Sequence, residues 1–130
     1  MPRAYTVATA ALALGVPVKW VDNILSHNRV TGIRKERQGI ARRLSIEGLL
    51  ILALTALLIH ELGVSTTKAI VVAEGIVKNG GQYPVARGLS IELDLAGFQA
   101  GLLEQLENAV EIAPAPRRGR PPINRTGRLD

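Results

Sequence analysis

Apolar residues change their spacing several times along this chain, and each change marks an expected element. Tyr5-Thr6-Val7 leads into a short apolar helix over about residues 8–14, which Gly15 ends. A second helix begins at Val16-Pro17, where the missing proline N–H costs nothing, and runs to about His27. At about 100° per residue, Val18, Val21, Ile24 and Leu25 share one side of it, and Lys19, Asn23, Ser26 and His27 share the other. Trp20 falls on the border between the faces and reads as a packing residue. Two short helices separated by a glycine-containing turn predict a helix-turn-helix.

The pattern then changes period. Val30-Thr31-Gly32-Ile33-Arg34 and Ile40-Ala41-Arg42-Arg43-Leu44 flank Arg37-Gln38-Gly39, which reads as the tip of a two-stranded ribbon. Its polar residues are arginine and lysine, the composition of a basic wing. An isolated hairpin is marginal, so this one must lean on the helices beside it.

Ser45 is a good N-cap, Glu47 complements the dipole of the helix that follows, and Gly63 stops that helix after Leu62. Between Leu49 and Ile59 it is apolar on nearly every side, which predicts the centre of the core and a surface able to meet a partner subunit. Ser65 or Thr66 caps the next helix, with Ile70, Val71, Val72, Ile76 and Val77, ended by Asn79-Gly80-Gly81. The run Ile70-Val71-Val72 would equally suit a strand. Leu89, Ile91, Leu93 and Leu95 alternate with Ser90, Glu92 and Asp94, as in a half-buried strand over residues 88–95. Phe98, Leu102, Leu103, Leu106 and Val110 then follow at helical spacing, with Glu104, Glu107 and Glu111 outside. That helix would cover the core or form a dimer seam. From Pro114 onward Pro, Arg and Gly dominate and no apolar period survives, the composition of a tail disordered when free.

The expected fold is therefore mainly α with a small β wing. Residues 1–80 form a winged helix-turn-helix, 81–113 a short C-terminal strand-helix extension, and 114–130 a basic Pro/Arg/Gly tail. A chain of 130 residues suits one core, and with only 3% aromatic residues that core must be Leu, Ile, Val and Ala, which favours helix on helix. Cysteine is absent, which excludes a disulfide framework, a thiolate metal site and a cysteine nucleophile.

Charge changes the picture more than composition does. The net +5 is strongly segregated. Arg29, Arg34, Lys35, Arg37, Arg42 and Arg43 stand against Glu36 alone, and the tail sets Arg117, Arg118, Arg120, Arg125 and Arg128 against Asp130. Between these blocks, acids outnumber Lys68, Lys78 and Arg87. Arginines scattered for solubility would not segregate in this way. Such a layout offers one face to a polyanion and turns a repelling face away.

Two apolar runs imitate membrane signals. Arg3 precedes the run from Val7 to Val18, but Thr6 and Thr9 break its character and Pro17-Val18-Lys19-Trp20 is a poor cleavage region. Leu49 to Ile59 is closed by Ser45, Glu47, His60 and Glu61, and is well short of the roughly 20 residues a span needs. The expected location is cytoplasmic and nucleoid-associated, with no membrane partner. His27 and His60 lack metal-ligand spacing, and no phosphate loop, nucleophile elbow or P-loop lysine occurs. Glu92 and Asp94, on one strand face, read as solvated. No catalytic residue, metal or cofactor is expected.

Double-stranded DNA is the expected partner. A second helix of this kind lays its N-terminal half in the major groove. Lys19 suits a phosphate or a guanine edge, Asn23 the bidentate pairing with adenine, and Ser26 and His27 single hydrogen bonds. The plain alternative is the wet side of an amphipathic helix, and Asp22 favours it, since a carboxylate repels phosphate. Arg34, Lys35, Arg37, Arg42 and Arg43 would grip phosphates beside that groove, with Arg37 or Gln38 at the tip reaching the minor groove. In the tail, Arg118-Gly119-Arg120-Pro121 resembles the core of an AT-hook. The resemblance implies that Arg118 and Arg120, preceded by Arg117, lie along a narrow A·T minor groove.

Taken in order, Tyr5-Thr6-Val7, Gly15-Val16-Pro17, the ribbon, Ser45-Ile46-Glu47 and Glu61-Leu62-Gly63-Val64-Ser65 resemble the DNA-binding domain of the mercury-resistance regulator (MerR) superfamily, over about residues 4–78. The resemblance implies a winged helix-turn-helix on duplex DNA, usually as a homodimer and often regulating transcription. Two departures matter. The stretch Val18-Lys19-Trp20-Val21-Asp22-Asn23 lacks the aromatic-rich, arginine-led recognition helix common in the family, and neither a long dimerisation helix nor a cysteine effector site is present. Metal sensing and promoter untwisting are not carried over. An architectural or excisionase-like DNA binder is the nearest alternative, and a protein-interaction adaptor or antitoxin the alternative from another class.

Overall fold

The computed structural model describes residues 4–30, 32–34 and 43–112, and its architecture is mainly helical with small antiparallel sheets. Helix α1, Val7–Leu14, opens on Thr6, whose Oγ1 accepts from the Thr9 N–H at 3.1 Å, and closes at Gly15. Pro17 stands at the start of α2, Val18–His27, and its carbonyl accepts from Trp20 N–H at 3.0 Å. The chain turns by 116° between the two helices.

Strands β1, Ile33–Arg34, and β2, Arg43–Leu44, pair antiparallel, with Ile33 opposite Leu44 and Arg34 opposite Arg43. The ladder among the described residues is shorter than the alternation predicts, because Gly32 sits in a turn at φ 87° and ends β1 on its N-terminal side. The tip lies outside the described residues. The expected support is present: Tyr5 flanks β2 on its other edge, exchanging both backbone hydrogen bonds with Leu44 at 2.8 and 3.0 Å.

Helix α3, Ile46–Leu62, has the expected bounds. Ser45 Oγ accepts from the Gly48 N–H, and Gly63 ends the helix in the left-handed region at φ 67°, where its N–H reaches the Ile59 carbonyl. From Gly48 to Ala56 every residue of α3 is buried, which an all-apolar helix requires. Thr55 is sealed among them and donates its hydroxyl to the Ile51 carbonyl at 2.8 Å, so no buried polar group is left unpaired there. Helix α4, Thr66–Lys78, packs along α3 with Ser65 as its cap. Its β-branched run is helical because Ile70 and Val72 are both buried, while Val71 stays exposed. Tertiary burial outweighs strand propensity here.

Beyond α4 the structure departs from the alternation. Strand β3, Gln82–Ala86, pairs antiparallel with β4, Leu89–Glu92, in a hairpin of which only the second arm has a period-2 signal. The expected strand over 88–95 ends at Glu92, and Leu89 is 58% exposed rather than half-buried. Asp94 is no strand residue. Its carboxylate accepts from the Gly97 N–H at 3.1 Å and its carbonyl from Phe98, which starts α5, Leu95–Ile112.

Helix α5 lies mainly against α1 and less on α3. Leu102, Leu106 and Ala109 are its sealed positions, whereas Leu103 and Val110 are more than a third exposed. The reason is geometric: the alanines of α1 admit a narrow stripe of α5, so its other apolar residues face out. One continuous cluster of buried residues runs from Tyr5 to Ala109. Among the described residues no single helix is long and apolar enough to cross a membrane; α1 and α2 pass that test only together, and they are bent apart with Ala10, Ala11, Val21 and Ile24 buried.

Candidate nucleic-acid interface

Helix α2 is strongly two-sided. Val21 is fully buried and Ile24 is 4% exposed, while Lys19, Asn23, Ser26 and His27 are all exposed on the opposite flank. Val18 departs from the expected apolar side: it is 45% exposed. Trp20 is half-buried against the core, as a border residue should be. The His27 ring is held through Nδ1 at 2.9 Å from the Asn23 carbonyl, which leaves Nε2 as its remaining polar atom. Asn28 donates its amide to the Ile24 carbonyl at 3.0 Å and closes the helix end. The Asn23 amide has no hydrogen bond to a described residue and keeps both its donor and acceptor. Asp22, which argued against an anion-binding face, is only partly exposed.

Asn23 and His27 share an open hollow of about 370 Å³ with Thr66 and Thr67 at the start of α4. Thr66 was legible in sequence only as an alternative to Ser65 as a cap, and Thr67 carried no signal at all. No local signal links them to Asn23, since the fold and not the spacing brings the start of α4 beside α2. Lys68 is exposed in the same turn. Arg29, directly after α2, is also exposed.

On the ribbon, Arg43 is exposed and the register places the Arg34 position opposite it. Like charges at facing ladder positions are unfavourable unless something between them is negative. The other expected ribbon contacts, Lys35, Arg37, Gln38 and Arg42, lie outside the described residues, as do Arg117, Arg118 and Arg120 of the tail. Arg87, at the turn between β3 and β4, is a further exposed cation, besides Lys68 and Lys78, in a body where acids are in excess. On α5, Glu104 and Glu107 are exposed and no lysine or arginine occurs. Among the described residues no group of three His, Asp or Glu is placed to hold a metal ion.

No family model, no curated protein and no solved structure matches this chain.

Proposed function

We propose that this protein binds double-stranded DNA as a transcriptional regulator, in a binding and not a catalytic role. Helices α1 and α2 act as a helix-turn-helix, β1–β2 as its basic wing, and the tail as a minor-groove arm. One observation carries the reading: Lys19, Asn23, Ser26 and His27 of α2 stand exposed while Val21 and Ile24 behind them are sealed, in a helix entered through a 116° turn. Lys19, Asn23, Ser26 and His27 then read base edges, Asn23 with an amide free for bidentate pairing to adenine. Arg34, Lys35, Arg37, Gln38, Arg42 and Arg43 hold the flanking backbone, and Arg117, Arg118 and Arg120 reach a neighbouring groove. The resemblance to the mercury-resistance regulator superfamily is part of the same proposal, since the element order from α1 to α4 is the one that resemblance requires. So are a homodimeric state, with exposed Leu103 and Val110 of α5 as its apolar seam, and a place on the nucleoid.

Titration of labelled duplex by fluorescence anisotropy over a salt series tests the reading. Tight binding at low salt that weakens steeply as salt rises is expected. No duplex binding at low ionic strength would refute it. Selection from a random pool separates a regulator from an architectural binder, because only the regulator gains a large ratio of specific to non-specific affinity. Removing residues 114–130 should weaken binding to A·T-rich duplex more than to G·C-rich duplex; equal losses would remove the hook from the proposal.

A further inference from the structure

Two adjoining hollows, of about 320 and 340 Å³, share Ala53, Phe98 and Gln105 and so form one trough between the end of α1, the outer side of α3 and the first half of α5. Small residues create it: Ala53 and Ala56 on α3 and Gly97 and Gly101 on α5 leave a floor onto which Leu57 and Phe98 open. Two carboxylates, Glu61 and Glu104, stand on its rim with His60 beside the first, and among the described residues no lysine or arginine lines either hollow. An apolar floor with a carboxylate-bearing rim calls for a partner that is both apolar and basic.

This chain carries such a partner. We infer that the tail, residues 113–130, docks in this trough when no polyanion holds it, with its prolines on the floor and Arg117, Arg118 and Arg120 against Glu61 and Glu104. Reach permits it. The tail starts after Ile112, and Gln105 lies seven residues back along α5, about 10 Å at the helical rise. Residues 113–117 in a proline-type extended conformation span about 15 Å. That brings Arg117 beside Gln105, and Arg118 and Arg120 further along the trough beside Glu104 and Glu61. Chemistry permits it as well. Pro114, Pro116, Pro121 and Pro122 offer rings for the floor, and a proline-rich strand has little conformational freedom to lose on docking. The same arginines cannot serve the trough and a nucleic acid together, so the acidic body shelters the tail until a polyanion competes for it. Docking itself does not depend on the duplex-binding reading.

Trypsin cleavage after Arg117 and Arg118 in the full chain at low salt reads the docked fraction. Cleavage is expected to be roughly three- to tenfold faster in a Glu61→Gln/Glu104→Gln variant than in the parent chain. It should be unchanged in Glu47→Gln/Glu92→Gln, which removes the same charge away from the trough. Equal rates for the parent and the trough variant, or equal acceleration by both variants, would overturn the proposal. A second measurement uses the absence of native cysteine: a nitroxide on Gly119→Cys should broaden the NMR signals of Leu57, Phe98 and Gly101 selectively. Broadening that is absent, or spread evenly over the surface, would also overturn it. Added duplex should relieve the broadening. A chain that shows broadening yet binds no duplex keeps the docking and loses the DNA-binding proposal, so the two failures are distinct.

Discussion

The ring of Tyr83 lies directly over Gly75, in the space that a β-carbon at that position would occupy. This contact helps seat the β3–β4 hairpin on α4, and glycine inside a helix is otherwise unfavourable by about 1 kcal/mol relative to alanine. Gly75→Ala should therefore destabilise the protein by about 1–2 kcal/mol through overpacking. In a Tyr83→Ala background the same change should stabilise it by up to about 1 kcal/mol, since only the helical preference remains. Urea unfolding of the four chains in this cycle measures the coupling, and a Gly75→Ala effect of the same sign in both backgrounds would show that the ring is not the reason for the glycine.

The base of the ribbon rests on a second close approach. A β-carbon on Gly32 would stand 2.5 Å from Ser45 Oγ and 2.6 Å from the Gly48 nitrogen, and its φ of 87° is unfavourable for any side chain. Ser45 Oγ both accepts from Gly48 N–H and donates to the Gly32 carbonyl, so the start of α3 and the residue leading into β1 share one hydroxyl. Gly32→Ala should cost about 2–3 kcal/mol, the sum of a strained backbone and a lost cap. Ser45→Ala should cost about 1–2 kcal/mol. Thermal melts check both, and a Gly32→Ala protein as stable as its parent would show that the junction yields easily.

If Arg43 grips a phosphate, Arg43→Ala should lower duplex affinity uniformly across sequences and reduce the slope of log affinity against log salt by about one. Asn23→Ala should instead leave that slope alone and relax base preference by about 1–3 kcal/mol at one position. Anisotropy titrations on matched and mismatched duplexes separate these outcomes. A uniform loss from Asn23→Ala would move Asn23 from the base edges to the backbone.

Leu103 is 38% exposed and Val110 39% exposed on α5, away from the stripe that meets α1. Leu103→Lys should leave the melting temperature within a few degrees, since little buried area is lost, and should convert a dimer to a monomer in sedimentation equilibrium. A dimer that survives the substitution would place the seam elsewhere, and a parent chain that is already monomeric would remove the dimer from the proposal.

Local chemistry by itself determined the helices of the first two thirds of the chain. Thr6, Ser45 and Ser65 cap by hydrogen bonds within a single turn, and Gly15 and Gly63 end helices by backbone conformation, so their effects are readable without the rest of the molecule. The two-sidedness of α2 was legible for the same reason, as a period written into adjacent residues. Only the tertiary structure decided the rest. Strand β3 has no alternation of its own, because Tyr83 is seated by Gly75 on another element rather than by a sheet face. Asp94 became a cap instead of a strand residue once β4 ended at Glu92. Which apolar side chains of α5 are buried depended on how α5 lies against α1, and the shared hollow of Thr66 and Thr67 with Asn23 depended on where the fold sets the start of α4. Those outcomes are distances between segments far apart in the chain, and a period along one segment holds no information about them.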